Sequence, residues 1–313
     1  MNKAVNIYLS HFSEYLILKG FTSSTIHTLT KTITYFNEWI ETQNLEVMEV
    51  SYNDIMAYIN YKKKQNNKSR TLQIITNALN HFYNFLIAEY QLNENPASNV
   101  KIQGQKRKVL QEILTPIELE TIYKNYIIAP TELKTNNQKL NTTVVLARKR
   151  NKAILGLIIY QGIKTEELAK LELTDLQLRE GKITIQGSIR TEKRTLKLEA
   201  HQIFDLYDYV NEVRKQILIA TKKQSNKVFI SVGKSLNFQN IMQKLVKELK
   251  AKNKKLIDVK QIRTSVITNW LKTHNLRKTQ YMAGHRYISS TESYQVNNIE
   301  ELQENITKYH PIN

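Results

Sequence analysis

In the first hundred residues, apolar side chains recur at the spacing of an α-helix, and almost no glycine or proline interrupts the pattern. These residues contain one glycine, Gly20, and one proline, Pro96. Apolar residues recur there at intervals of three and four, which is the spacing of one face of a helix. The pattern predicts four helices, and four helices with buried stripes can close a small bundle. The predicted spans are 4–18, a helix that begins at Thr22, 52–61 and 71–90.

The second and fourth of these helices have the clearest apolar faces. Thr22-Ser-Ser precedes the second helix, and hydroxyl side chains there can accept from the free N–H groups of its first turn. The predicted core positions on the two helices are Ile26, Leu29, Ile33, Phe36, Ile40, Leu72, Ile75, Leu79, Phe82, Phe85 and Leu86. Because Pro96 ends the pattern, we expect a first domain over 1–98 and a basic, glycine-containing linker over 99–111.

A second domain is predicted over 112–313, mostly α with a small antiparallel sheet. Thr115-Pro-Ile-Glu118 is a capping-box helix start with proline in the first turn. The segment Gly181–Gly187 alternates and predicts a strand, with a turn up to Arg194 and a returning strand over Thr195–Leu198. A polar loop is expected over 127–142. The predicted helices cover 116–126, 148–161, 202–220, 237–251, 260–273, 276–283, 289–295 and 298–307. The fold class is therefore mainly α.

Charge is distributed unequally between the two parts. The chain has a formal net charge of +18. Residues 1–100 hold 8 Lys+Arg and 8 Asp+Glu, which leaves 38 and 20 for residues 101–313, so the whole surplus lies in the second part. A surplus of that size attracts a polyanion such as DNA or RNA through counterion release. Lysines on solvated faces are the alternative reading, and charge alone does not decide between them.

Composition narrows the classes of chemistry. There are no cysteines, which excludes disulfides, cysteine-based zinc sites and thiol nucleophiles. No apolar run reaches membrane-spanning length, and polar residues interrupt the apolar N-terminal segment, so we expect no membrane span, no signal peptide and a cytoplasmic protein. The chain has no phosphate-binding Gly-x-x-x-x-Gly-Lys-Ser/Thr loop and no histidine pair with metal-site spacing. We therefore predict neither cofactor nor metal.

Three residues near the C-terminal end form a pattern that carries chemistry. Arg263 is followed by Gly284-His285, and Tyr294 stands nine positions after that histidine. A tyrosine hydroxyl can attack a DNA phosphate without a metal if fixed cations neutralise the charge that develops on the phosphorus. Arginine suits that task because its planar fork donates two hydrogen bonds to two oxygens.

These segments resemble the tyrosine recombinases of the Xer and phage-integrase type. Tyr160-Gln-Gly-Ile-Lys-Thr-Glu-Glu-Leu168 is similar to the family's Gly-Leu-Arg-x-x-Glu-Leu box, and Lys260-Gln-Ile-Arg263 falls where the family has His-x-x-Arg. Gly284-His285 and Tyr294 match the final Gly-His and the nucleophile. The resemblance implies an N-terminal core-binding domain, a catalytic domain over 112–313, and cutting and rejoining of DNA at specific sites through a 3′-phosphotyrosine, without metal or ATP.

The resemblance also implies roles for individual residues. Tyr294 is the expected nucleophile, Arg263 the phosphate clamp, and His285 a hydrogen-bond donor to the phosphate. Lys164 stands in place of the family's first arginine and keeps the charge without the bidentate fork. Lys260 stands in place of the histidine of His-x-x-Arg.

The general acid is the least settled assignment. The family's lysine in the β-turn corresponds to Ser188 here, and Arg190, Lys193 or Arg194 could replace it. Lys193 is favoured because arginine is a poor proton donor near neutral pH. The replacements at Lys164, Ser188 and Lys260 lead us to expect reduced activity, and they motivate the alternative of a catalytically impaired DNA-binding protein. A third alternative is a type IB-like topoisomerase.

Contacts with DNA are expected from basic and helix-terminal residues. Helix N-termini bind phosphates, which points to the start of the fourth helix, and a solvated turn is an equal reading for the lysines before it. The candidates are Ser69, Arg70, Lys62, Lys63, Lys64, Arg190 and Arg286. The expected partner is double-stranded DNA with a specific site, bound by four copies of a chain that is a monomer in solution. A last helix with Ile299, Leu302 and Ile306 on one face could dock on a neighbouring copy or pack within its own chain.

Overall fold

The protein forms two compact units, residues 1–109 and residues 110–313. The computed structural model describes residues 3–103, 112–128, 138–235 and 237–295. Both units are built mainly from α-helices, and the second also holds one small antiparallel sheet. This is the predicted fold class. Most of the predicted linker and the whole predicted helix over 298–307 lie outside the described residues.

Over residues 3–103 the first unit contains four helices, and side-chain caps mark the start of two of them. Thr22 accepts from the Thr25 N–H at the start of the second helix, and Ser51 with Asp54 forms a capping box at the start of the third. The helices are α1 (Lys3–Leu18), α2 (Ser23–Thr42), α3 (Tyr52–Lys64) and α4 (Ser69–Tyr90).

The core of this unit is aromatic. Phe12 lies edge-on to Phe82 at a centroid distance of 5.3 Å, and Phe36 lies edge-on to Tyr58 at 4.9 Å. Such edge-to-face contacts stabilise beyond the area they bury. Every core position predicted on α2 and α4 is buried except Ile26, which is partly buried against the same cluster.

The predicted spans 52–61 and 71–90 leave a polar, basic turn over 62–70, and this turn is wrong in extent. Lys62, Lys63 and Lys64 form the last turn of α3, and Ser69 begins α4, so the connection is only four residues long. Lysine is a good helix former, and positive charge at a helix C-terminus interacts favourably with the helix dipole. The basic run therefore extends the helix instead of ending it.

The second unit packs its helices around one apolar cluster, which includes Ile154, Ile158 and Val266. Thr115 and Glu118 form the predicted capping box. The helices are α5 (Pro116–Lys124), α6 (Gln138–Gln161), α7 (Thr165–Lys170), α8 (Ala200–Asp208), α9 (Arg214–Thr221), α10 (Phe238–Lys252), α11 (Val259–Thr273), α12 (Leu276–Ala283) and α13 (Ser289–Glu292).

The sheet has three strands in the order β1 (Leu176–Gln177), β2 (Lys182–Ile185) and β3 (Arg194–Lys197). Sequence reasoning predicted the β2–β3 hairpin and missed the two-residue β1. The hairpin register pairs Ile183 with Leu196 and Ile185 with Arg194. Side chains alternate across a strand, so this register turns position 194 to the buried face with Leu196.

Two helical segments also differ from prediction, one in where it begins and one in its internal geometry. Helix α6 begins at Gln138, ten residues before the predicted start, because the segment that reads as a polar loop contains no glycine or proline after Pro130. The predicted helix over 202–220 is continuous but carries a π-helical turn at Tyr209–Val213 between α8 and α9. Within the described ranges, no helix combines the length and apolar content needed to cross a bilayer.

Candidate active site

Arg263 occupies the centre of the site and is held by backbone carbonyls. It lies one turn into α11 and is 7% exposed. Its Nη1 donates to the carbonyl of Gly162, and its Nη2 donates to the carbonyl of Ala283 at 2.7 Å. These carbonyls lie at the C-terminal ends of α6 and α12, where helices leave acceptors unpaired and carry partial negative charge. The two helix ends therefore fix the orientation of the guanidinium.

His285 lies beside this arginine and is 8% exposed. Its Nε2 is 3.4 Å from Arg263 Nη2, and its Nδ1 is 2.9 Å from Thr291 Oγ1. A guanidinium can only donate, so Nε2 accepts and the ring hydrogen lies on Nδ1, which donates to Thr291. The predicted donor role toward phosphate would require the other tautomer, with Thr291 donating to Nδ1.

His285 is held in its neutral form. Burial and the nearby cations Arg263, Lys164 and Arg194 together lower its pKa from 6.5 to about 4, while Glu167 acts in the opposite direction. Burial and neighbouring positive charge both disfavour an imidazolium. At neutral pH the ring is therefore an uncharged hydrogen-bonding group.

Tyr294 lies against both of these residues. Its ring stacks on the His285 ring, with centroids 5.7 Å apart and planes inclined by 18°. Its side chain hydrogen bonds with Arg263. Burial lowers the pKa of that arginine, and the charge interaction and hydrogen bond with Tyr294 act in the opposite direction. The tyrosine is half-buried, just past α13. The structure thus brings the predicted nucleophile, guanidinium and imidazole into one cluster.

Lys164 joins the cluster from α7. It is the N-cap residue immediately before that helix, and its backbone N–H donates to Glu167 Oε2 at 2.9 Å. Burial lowers the pKa of its amine, and the charges of Arg263 and Arg194 lower it further. A cation whose pKa is lowered by neighbouring cations lies in a region with an excess of positive charge, and such a region is suited to an anion.

The turn between β2 and β3 contacts the histidine through its backbone. Ser188 and Thr191 close the turn, with Ser188 N donating to Thr191 O at 2.8 Å, and Thr191 in turn forms a β-bridge with His285. Ser188 Oγ lies 2.8 Å from Thr191 Oγ1. Lys193 follows two residues later with an exposed side chain. Its role as the general acid stays a prediction.

Arg194 is the one residue of the turn whose suggested role the structure contradicts. It was a candidate for the general acid, yet it is 1% exposed, and its Nη1 and Nη2 donate to the two carboxylate oxygens of Glu167 at 2.9 Å each. A buried guanidinium paired in this way cannot present a proton to a leaving oxygen. The cause is the strand register, which turns this position inward.

Lys260 lies apart from the buried cluster. It is the second residue of α11 and its side chain is exposed, whereas the next three residues, 261–263, are buried. Position 261 carries a fully buried glutamine whose amide donates to the carbonyls of Glu112 and Lys255. The charges that act on His285 come from other residues, so Lys260 as a phosphate ligand remains a prediction.

The predicted DNA contacts fall into two groups. In the first unit, Ser69 opens α4, and Arg70, Lys63 and Lys64 are exposed. The Lys62 amine is engaged internally, 5.4–5.7 Å from the centroids of three tyrosine rings. These cation–π interactions compete with a phosphate for the charge of the Lys62 amine.

In the second unit, the candidates Arg190 and Arg286 are both exposed. Arg286 Nη1 donates to the carbonyl of Ile189 at 2.9 Å, and its Nε lies 3.8 Å from Glu192 Oε1. It braces the tip of the β2–β3 turn, and any contact with DNA is made from that braced position. The described residues contain no group of three or more His, Asp and Glu arranged to hold a metal ion.

Sequence reasoning assigned no role to Glu167 and Thr291 and gave Arg194 the wrong one, although all three shape the cluster. Glu167 stands inside the recognised box, and the alternation of β3 already turned position 194 inward, so signals existed for that ion pair. Thr291, fully buried and bonded to His285, had no such signal. Its importance arises because α13 folds back on the histidine, a contact between elements that single-sequence periodicity does not report.

Two family models match the chain. The phage integrase family matches residues 128–301, and the phage integrase N-terminal SAM-like domain matches residues 9–90. A curated relative, the tyrosine recombinase XerC of Anoxybacillus flavithermus, is 25% identical over 297 residues, covering 93% of each chain.

Solved structures share the fold. XerH site-specific recombinase bound to a difH substrate has a TM-score of 0.65 at 17% identity, covering 89% of this chain and 78% of that chain. A lambda integrase tetramer bound to a Holliday junction has a TM-score of 0.58 at 14% identity, covering 90% and 77%. With one family model spanning more than half of its residues, the chain belongs to the phage integrase family of tyrosine recombinases.

Proposed function

We propose that this chain is a site-specific DNA recombinase that cuts and rejoins double-stranded DNA through a 3′-phosphotyrosine at Tyr294. The observation that carries the proposal is the position of this phenol, stacked on His285 and hydrogen bonded to the buried Arg263. A nucleophile beside fixed hydrogen-bond donors and positive charge is what attack on a phosphodiester requires. Family membership and the relatives named above support the same activity.

The chemistry exchanges one phosphodiester for another. The Tyr294 oxygen forms a bond to phosphorus while the bond from phosphorus to the 5′-oxygen breaks. The phenol gives up its proton, and the departing 5′-oxygen takes one. The number of phosphodiester bonds is unchanged, so a 5′-hydroxyl of a second end can reverse the step and release the tyrosine without ATP.

The residues around Tyr294 divide the remaining work. Arg263 and Lys164 bind the nonbridging oxygens and neutralise the charge that grows on them. Neutral His285 adds a hydrogen-bonding group in the tautomer that Thr291 permits. Lys193 is the proposed proton donor to the 5′-oxygen. Because a lysine makes a single contact where a guanidinium makes two, we expect slower cleavage than an arginine at position 164 would give.

The proposed assembly is four copies on two DNA duplexes, with the free chain a monomer. The lambda integrase tetramer bound to a Holliday junction supports it, since that protein shares this fold. The positive surplus of residues 101–313 provides sequence-independent affinity. A DNA substrate and a chain without cysteine are consistent with the cytoplasm, and integration, excision or resolution of a mobile element are the biological settings that such chemistry serves.

A nicked suicide substrate tests the function. The binding site is first selected from a randomised duplex pool with the Tyr294→Phe variant, and a nick is then placed near the presumed cut so that the short 5′-hydroxyl fragment dissociates. Wild-type chain is expected to form a covalent protein–DNA adduct in the presence of EDTA and without nucleotide. Tyr294→Phe is expected to bind and form none. Tyr207→Phe, which removes an exposed hydroxyl from α8, is the matched control and should keep the adduct.

Two outcomes contradict the proposal. Tight binding with no adduct from the wild-type chain would make this a DNA-binding protein that has kept the recombinase fold. An adduct that relaxes supercoiled DNA without exchanging strands would make it a topoisomerase of the same chemistry.

A further inference from the structure

Arg194 is a fully buried cation that the proposed chemistry does not use. It is 1% exposed, and its side chain is bound in parallel to both carboxylate oxygens of Glu167, whose own side chain is 8% exposed. Its Nε has no partner among the described residues. Burying an ion pair is weak evidence for stability, because desolvation of both charges offsets their attraction. A pair retained at such a place calls for a reason other than stability.

On one side, the pair reaches Lys164. Glu167 Oε2, which accepts from Arg194 Nη2, also accepts the backbone N–H of Lys164 at 2.9 Å. The carboxylate therefore connects the strand β3 to Lys164, the N-cap residue of α7. Rotation of the carboxylate would release the turn that carries the Lys164 amine.

On the other side, the pair reaches His285. A Cβ added to Gly284 would lie 2.3 Å from Arg194 Nη1 and 2.7 Å from Cζ, so the guanidinium packs directly on the glycine Cα. Gly284 has φ of +65° and accepts from the Glu192 N–H at 3.3 Å. His285 follows Gly284, and Ala283, which precedes it, accepts a hydrogen bond from Arg263 on its carbonyl. Arg194 thus fills the space between the turn that carries Lys164 (the Lys164 turn) and the turn that carries His285 (the His285 turn).

We infer that Arg194 is a positioning residue for DNA cleavage: clamped by Glu167 and seated on Gly284, its guanidinium fixes the separation between the Lys164 turn and the His285 turn. It touches no substrate and acts through those two residues. The inference rests on the proposed function. It also explains why position 284 requires glycine, since any side chain there would occupy the volume of the Arg194 guanidinium.

The same geometry places charges of both signs on the histidine. The groups facing His285 are Arg263 from α11, Lys164 from the N-cap of α7, Glu167 from α7, Arg194 from β3, and the phenol of Tyr294. Arg194 lowers the pKa of the imidazole and Glu167 raises it. If the turn kept its geometry, neutralising each partner in turn would therefore move that pKa in opposite directions. Loosening of the turn, which the inference predicts when either partner is lost, exposes the ring and moves its pKa toward 6.5 in both cases.

Single-turnover cleavage of the suicide substrate tests the positioning. In Arg194→Lys, which keeps the charge and loses the fork, we expect DNA affinity within about twofold of wild type and a cleavage rate constant about 100-fold lower, the effect of roughly 1 Å of misplacement. The matched control is Arg214→Lys, because Arg214 is another buried arginine, bound to the carbonyls of Ser225 and Lys227. It should lower the stability and leave the rate constant of the folded fraction unchanged.

Arg194→Lys cleavage within twofold of the wild-type rate constant, or a loss confined to the amplitude, would overturn the inference, since a merely structural residue changes only the folded fraction. The second readout is the pKa of His285, followed by NMR of the full chain and assigned with His285→Gln. Because the inferred clamp needs both partners, Arg194→Met and Glu167→Gln should both raise it toward 6.5. A lower pKa in Glu167→Gln would also overturn the inference, since it would show that the His285 turn keeps its geometry without the clamp.

These arms separate the two proposals. If the wild-type chain forms no adduct, the proposed function fails, and the NMR measurement still decides whether Arg194 holds the histidine. If the wild-type chain cleaves and Arg194→Lys cleaves equally fast, only the positioning role fails.

Discussion

Acidification provides a quantitative check on the buried histidine. In the folded chain, burial and adjacent cations lower the pKa of His285 from 6.5 to about 4. Between those values the unfolded chain binds a proton that the folded chain does not, so folding is penalised as the pH falls. The stability associated with neutral His285 is complete above pH 6.5 and is lost progressively down to pH 4.

The magnitude follows from the two pKa values. One pKa unit corresponds to about 1.4 kcal/mol, so the full span is worth about 3 kcal/mol, and the part already lost at pH 5 is about 2 kcal/mol. That is a large fraction of the 5–15 kcal/mol that typically separates folded and unfolded states. His285→Gln keeps a hydrogen-bonding side chain and removes the titration.

Urea unfolding at pH 8 and pH 5 measures the difference. The chain has two tryptophans, Trp39 in the first unit and Trp270 in the second, so a Trp39→Phe background lets fluorescence report the catalytic unit alone. In that background we expect the free energy of unfolding to fall by about 2 kcal/mol more for the chain with His285 than for His285→Gln.

His274→Gln is the matched control, because it removes another histidine of the same unit and leaves His285 in place. It should retain the full pH-dependent loss. Equal losses with and without His285, to within about 0.5 kcal/mol, would refute the reasoning, and would mean that the imidazole is solvated or charged in the folded chain.

Three further substitutions test the cluster. Gly284→Ala should destabilise the catalytic unit in urea by more than Gly181→Ala: both glycines have positive φ, which costs about 1–2 kcal/mol for alanine, but only the first meets the Arg194 guanidinium, at 2.3 Å. Equal losses would contradict that contact. Lys164→Arg should preserve single-turnover cleavage or raise it up to about tenfold, because a fork adds a charge-assisted hydrogen bond; loss of cleavage with intact binding would rule out its role as a phosphate clamp. Thr291→Val should lower the stability by about 1 kcal/mol and slow cleavage, since the site histidine loses its Nδ1 partner; an unchanged rate would show that the tautomer is set elsewhere.

Lys164 shows how far a family pattern extends. The box around it predicted a cation at this position, and the amine does lie among the buried charges. The box did not predict that Glu167 would accept its backbone N–H and bind Arg194 at the same time. Spacing along the sequence predicts which residues lie close together on one helix or strand. This network instead joins the start of α7 to β3, which are separate elements.

The sequence by itself determined the helical architecture, the β2–β3 hairpin and the identity of the three residues that meet in the site. These are local properties: apolar period, capping residues, strand alternation and a motif at fixed spacing. The lysine run after residue 61 suggests a solvated turn, but the helix propensity of lysine is the stronger effect and the run extends α3.

Only the tertiary structure decided which cations act together. It buried Arg194 against Glu167, left Lys260 exposed, and stacked Tyr294 on a histidine held neutral by burial and by the neighbouring cations. The physical reason is that burial and charge–charge interaction depend on distances across several elements. Those distances arise when α6, α7, α11, α12 and β3 pack, and no periodicity along the chain encodes them.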